Sequence, residues 1–173
     1  MPIKLIIATV MSFCCSAAVF AASATNIQLS VTPSSPRPGA PVTIKAKLTG
    51  DIVVKRVSPN SQNSSSRLHF YVNNTEVGSY LVSDLPRGST YYRYDTTQRC
   101  GPSGACELVQ LVFLNTSQVE ASHNVVMPKS EKSIRVYATF DGDRFSAGST
   151  SGPTTVKSGS SAPVGAIHLL LSQ

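Results

Sequence analysis

From Asn26 onward, apolar and polar residues alternate with a period of two. Val42, Ile44, Ala46 and Leu48 interleave with Thr43, Lys45 and Lys47, and Leu68, Phe70 and Val72 with His69 and Tyr71. Ile134, Val136, Ala138 and Phe140 interleave with Arg135, Tyr137 and Thr139. A strand with one buried and one wet face has this pattern, because successive side chains point to opposite sides of a sheet. Shorter or fully apolar runs at 27–31, 77–82, 107–114 and 154–157 predict further strands, and 52–57 and 119–126 predict edge strands. No stretch after Asn26 has apolar residues at i, i+3, i+4 and i+7 over three turns, so no amphipathic helix is predicted there.

Turn residues punctuate these runs. Pro33 to Gly39 carries three prolines and a glycine, Asn73-Asn74 follows Val72, and Asp141-Gly142-Asp143 follows Phe140. Asn, Asp and Gly tolerate left-handed backbone, so such clusters reverse the chain between strands. Many short strands at regular spacing, each with one buried face, predict an all-β, antiparallel β-sandwich. At 173 residues the chain fits one domain with a real core. Only 14% of residues are charged, against a usual quarter or so, and Ser and Thr supply the remaining polar surface. That composition excludes a charge-laced helical bundle. With no Trp, cohesion must come from Val, Ile, Leu and Phe, with Phe70, Phe140 and Phe145 the largest expected core members.

The first residues change the compartment. Lys4 precedes an apolar stretch from Leu5 to Phe20, which runs into Ala21-Ala22-Ser23-Ala24. A basic start, an apolar centre and small residues at A-x-A spacing mark a secretory leader, here residues 1–24, cleaved before Thr25 or, as second choice, after Ala21. Cys14 and Cys15 lack the small residues that a lipid-acceptor cysteine needs before it. No second long apolar run exists, so no transmembrane segment is expected in the mature chain. Removal of the leader leaves Cys100 and Cys106 alone. Export to an oxidising compartment then favours a disulfide, which Gly101, Pro102 and Gly104 let close tightly. The formal charge of +6 falls to +5 without Lys4, and the basic residues are scattered, which argues against nucleic acid as a partner.

Three blocks carry a family resemblance. Ile27 to Pro36 followed by Pro38-Gly39-Ala40-Pro41-Val42-Thr43-Ile44-Lys45-Ala46 is similar to the S-P-x-x-x-G-x-x-V-T-L-T-A opening of bacterial immunoglobulin-like repeat domains. His69 to Gly78 resembles their V-x-F-x-x-N/G-G-x-x-L-G strand and turn, and Ser133 to Phe145 their final I-T-A-x-Y-x-G-D-x-x-F block. The resemblance implies an immunoglobulin-like sandwich over residues 25–157. It covers about half the mature chain and leaves an apparent insertion at about 85–129. Residues 158–173 read as a Ser/Gly linker and the apolar run Val164 to Leu171. That run is an extra strand of the protein's own sheet or a strand offered to a partner's edge.

The insertion holds the best candidate site. Arg87, Tyr91, Tyr92, Arg93, Tyr94 and Arg99 crowd a segment ending in the Cys100–Cys106 loop. Tyr and Arg are favoured at binding hot spots, and a disulfide at the tip would pre-organise such a loop. Tyr91 to Tyr94 also reads as an ordinary strand with exposed aromatics. Asp141 and Asp143 are weak calcium candidates, lacking the six or more oxygens such an ion requires. His69, His123 and His168 are far apart in sequence and read as solvent-facing. Asn63, Asn73 and Asn115 begin N-x-S/T triplets, which matter only in a glycosylating host. No G-x-S-x-G, H-E-x-x-H or phosphate-cradling loop occurs, so neither catalysis nor a cofactor is expected. The expected role is a secreted, periplasmic or cell-envelope module that binds protein or cell-surface glycan through loops. The rival role is an inhibitor or accessory subunit of a periplasmic enzyme.

Overall fold

The computed structural model describes residues 22–159, and the strands within them build two antiparallel sheets packed face to face. The strands are β1 (Asn26–Thr32), β2 (Pro41–Ser58), β3 (Gln62–Asn63), β4 (Arg67–Val72), β5 (Thr75–Leu81), β6 (Thr90–Cys100), β7 (Cys106–Val126), β8 (Ser133–Phe140), β9 (Ser149–Thr150) and β10 (Thr154–Lys157). The first sheet runs β1-β2-β7-β6, with β3 also on β2; the second runs β10-β8-β4-β5, with β9 also on β8. The protein is an all-β sandwich. Residues 1–21 and the Val164 to Leu171 run lie outside the described residues.

The alternating residues face inward as their period requires. Val42, Ile44, Ala46 and Leu48 meet Leu68, Phe70, Ile134, Val136, Ala138 and Phe140 between the sheets, all buried. Tyr71 and Tyr137, directly opposite across β4 and β8, stack with ring centroids 4.7 Å apart and planes 4° from parallel. Asn73 and Asn74, at φ 49° and 66°, make the two-residue β4–β5 turn that their sequence favours.

Three expectations change. Residues 52–57 are not an edge strand but the far half of β2, with β7 on one side and β3 at Lys55 and Arg56 on the other. Residues 119–126, the far half of β7, do lie at an edge, because β6 pairs with β7 only as far as Thr116. The stretch at 85–129 is not an appendage, because β7 is the partner of β2 over nearly its whole length and its Val119 and Ala121 join the main core. Phe145 leaves that core for a second one with Val53, Leu111 and Phe113. The cause is a bend in β2. The β2–β7 register slips between Thr49 and Ile52, between Val53 and Lys55, and between Arg56 and Ser58, so β2 carries extra residues against β7. Each extra residue twists the strand and re-aims its side chains. Ile52 is thereby buried in the main core and Val53 in the second. Gly50 opens the bend at φ 153°, where a Cβ would come 2.7 Å from Thr25 Cγ2.

His123 is not solvent-facing either. Its ring stacks on buried Phe70, with centroids 5.9 Å apart, and its Nδ1 lies 2.8 Å from Tyr80 Oη. Gly78 leaves the space for it, since a Cβ there would sit 2.6 Å from His123 Nδ1. Gly78→Ala is expected to destabilise the fold by about 1–3 kcal/mol, the usual cost of overpacking. Urea denaturation of Gly78→Ala with His123→Ser should recover part of that loss.

Candidate functional site

β6 and β7 pair from Thr90↔Thr116 to Cys100↔Cys106, while β2 leaves β7 at Ser58↔Val112. Beyond Val112 the two strands therefore pair only with each other and project as a ribbon. The segment expected as a binding loop is a strand, in line with its other reading. The Cys100–Cys106 disulfide joins directly opposed residues at the end of the ribbon, with Cα atoms 4.0 Å apart. A seven-residue cycle of this kind restrains the turn and does little for the sandwich.

Alternation along the ribbon splits the predicted residues into two groups. Tyr91 and Arg93 point to the inner side and hold the ribbon to the sandwich. Asp51, at the β2 bend, accepts hydrogen bonds from Tyr91 Oη at 2.6 Å and Asn115 Nδ2 at 2.6 Å, and it pairs with Arg93 Nη1. The Arg93 guanidinium also lies 4.0 Å from the centre of the Phe145 ring, which meets Phe113 edge-on at 5.0 Å. Further out, Arg144 donates Nε to one oxygen of buried Asp95 at 2.7 Å, and its Nη2 lies 2.6 Å from the same oxygen as an ion pair. Two guanidinium clamps and an aromatic pair thus pin the base of the ribbon. Burial raises the Tyr91 phenol above its ordinary value, and the charge of Asp143 adds to the effect.

Tyr92 and Tyr94 point the other way and are 60% and 63% exposed. Their cross-strand partners are Leu114 and Val112, and toward the tip Leu108 is 77% exposed opposite Gln98. This outer face is aromatic, aliphatic and uncharged along the ribbon. Arg99, opposite Glu107, is exposed near the tip. Arg87 stands apart from the ribbon, donating Nη2 to Ser83 O at 2.8 Å.

The aspartates Asp141 and Asp143 do not converge. Asp143 accepts backbone N–H groups from Phe145 and Ser146 within its own turn and from Val53 on β2. Burial nevertheless pushes its carboxyl up, outweighing those donors and the charge of Arg93. Asp141 Oδ1 lies 3.0 Å from His69 Nε2. His69 is half-buried rather than free in solvent. Its Nδ1 is 3.2 Å from Glu76 Oε1, at ion-pair distance but off the line of an aligned hydrogen bond. Among the described residues no group of three or more His, Cys, Asp or Glu side chains is placed to hold a metal ion.

Asp51, Asp95 and Arg144 escaped the sequence reading, and Asn115 stood out there only as the start of an N-x-S/T triplet, although it is fully buried and bonded to Asp51. Gly50-Asp51, breaking an apolar alternation in mid-strand, is the one local signal that marks any of them. Comparisons of the chain with family models, curated proteins and solved structures returned no match.

Arg93→Ala removes a cation over an aromatic ring and strands the Asp51 carboxylate. It should cost about 1–3 kcal/mol and increase amide exchange at residues 106–113 before residues 42–48. His69 gives a pH dependence. Burial lowers its pKa, but contacts to Glu76 and Asp141 more than offset this, leaving it raised above 6.5. Its contribution to stability is therefore full below about pH 6.5 and lost as pH rises through the folded value. The stability difference between wild type and His69→Gln, followed by urea midpoints, should shrink from pH 6 toward about pH 8.

Proposed function

We propose that the protein is an exported, non-enzymatic binding module of the bacterial cell envelope or exterior, of immunoglobulin-like type. The observation that carries this reading is the clamped ribbon, whose outer face exposes Tyr92, Tyr94 and Leu108. Large rigid side chains on a pre-organised support lower the ordering cost of association, and tyrosine is enriched among residues that dominate binding energy. The strand order supports the family resemblance. With β1, β2, β7 and β6 taken as A, B, E and D, and β10, β8, β4 and β5 as G, F, C and C′, the two sheets match the immunoglobulin arrangement.

Export is supported by the leader-like first residues and the disulfide, and among the described residues no helix is long and apolar enough to cross a membrane. The fold also bears on where a leader is cut. Ser23 N–H donates to Phe145 O at 2.7 Å, and Ser23 O accepts from Ala147 N–H at 2.9 Å. Cleavage after Ala21 keeps both bonds; cleavage before Thr25 removes them. We place the cut after Ala21, so mass spectrometry of the exported protein should give Ala22 as its first residue.

The favoured partner is a protein or glycan surface laid along the outer face. The rival role, an inhibitor or accessory subunit, is favoured by the tip, where residues 98–108 are exposed and the disulfide braces a projecting turn. Tyr92→Ala with Tyr94→Ala should weaken capture of the partner at least about tenfold, roughly 1.4 kcal/mol, with an unchanged melting temperature. Unaltered capture would exclude the outer face. Loss of capture from Ser103 and Ala105 substitutions alone would favour the cleft-inserting role.

A further inference from the structure

A second concave surface lies beside the base of the ribbon and is separate from its outer face. It is a cleft of about 370 Å³ between the β2–β4 connection and the turn at 142–144, with Val53 and Phe113 at its floor. That volume falls at the small end of the range typical of small-molecule sites. Its walls are fixed. β3 pairs Gln62 and Asn63 with Arg56 and Lys55, Ser64 N–H donates to Val54 O at 2.9 Å, and Ser66 Oγ donates to Gly142 O at 2.7 Å. The last bond ties one wall to the other.

Arg56 and Arg144 both line the cleft with hydrogen-bonding capacity unspent. Arg56 gives Nε to Asn60 O and Nη2 to Gln62 Oε1, and among the described residues it has no carboxylate at ion-pair distance. Arg144 donates Nε to Asp95 and holds Nη2 beside the same oxygen, which leaves both Nη1 hydrogens and one on Nη2. A guanidinium has five N–H donors, so each has three left. Gln62, Asn63 and Ser65 add exposed amides and a hydroxyl. Asp143 also lines the cleft and Asp95 neutralises Arg144, so Arg56 is the lining cation without a carboxylate partner among the described residues.

We propose that this cleft binds an acidic saccharide. Its carboxylate would meet the free donors of Arg56 and Arg144, its hydroxyls the amide and Ser side chains, and its C–H face the Phe113 and Val53 floor. The charge selects the class. One unpaired cation, Arg56, beside the Asp143 carboxylate suits a monoanion rich in hydroxyls and disfavours a phosphate dianion. Planar guanidinium and amide groups pair with carboxylate and vicinal hydroxyl oxygens two at a time, which gives orientation as well as affinity.

The test is NMR titration of the whole mature protein with galacturonate, a monoanion, with galactose as the neutral control and inorganic phosphate as the anion control. Galacturonate should shift the amides of residues 62–66 and 142–144 saturably, and Arg56→Gln should weaken its binding at least about tenfold. Arg56 packs against its own turn, so this variant is expected to keep the wild-type melting temperature; Asn63→Ala, fully at the rim, should also weaken binding and provides a second check. No saturable shift up to about 10 mM, equal binding of galactose, tighter binding of phosphate, or shifts confined to residues 90–112 would each overturn the proposal. Because the outer-face variants at Tyr92 and Tyr94 leave this cleft intact, failure of one surface is distinguishable from failure of the other.

Discussion

The pairing of β2 with β7, and the bend that interrupts it, governs the rest of the molecule. Up to Thr49 the two strands form a regular ladder, and their inward side chains fill the space between the sheets. Beyond Gly50 the extra residues of β2 rotate it against β7, and the same sheet begins to serve a second, smaller core. Without that rotation Val53 would follow the alternation of Ile52 to the opposite, wet face. Phe113 and Phe145 would then lose one of the aliphatic neighbours that closes their cluster.

Asp51 sits where that rotation begins, and its position explains why a carboxylate is tolerated there. Only about a fifth of its side chain is exposed, but Tyr91, Arg93 and Asn115 all converge on it. A buried charge is costly unless paired and hydrogen-bonded, and here both conditions hold. The ion pair therefore does more for geometry than for net stability. It fixes the side of the ribbon that packs inward, and by alternation fixes Tyr92 and Tyr94 on the outside. A one-residue slip of β6 would exchange the two sets. The disulfide at the far end and the clamps at the near end hold the register from both directions.

Legibility in the sequence followed the range of the interactions. The alternation of Val42 to Leu48 and of Ile134 to Phe140 gave their buried faces correctly, because sheet periodicity is a local property of the backbone. The Asn73-Asn74 turn and the Cys100–Cys106 bridge were equally local. The 85–129 stretch was misjudged because resemblance to a family of shorter units marked it as surplus, whereas its pairing with β2 joins residues far apart in the chain. His69 and His123 were misjudged for a related reason. Nothing near His123 announces Phe70, Tyr80 and the gap left by Gly78, and nothing near His69 announces Asp141.

The chain's own pattern thus determined an all-β protein, its principal core residues, its tight turns and the Cys100–Cys106 pairing, since each depends on residues a few positions apart. Tertiary structure alone decided that Tyr91 and Arg93 are anchors while Tyr92 and Tyr94 are free, and that Arg56 and Arg144 share a cleft. Those outcomes depend on where a bent strand places groups from distant segments. Spacing along a sequence carries no record of the direction in which a bulge turns the backbone.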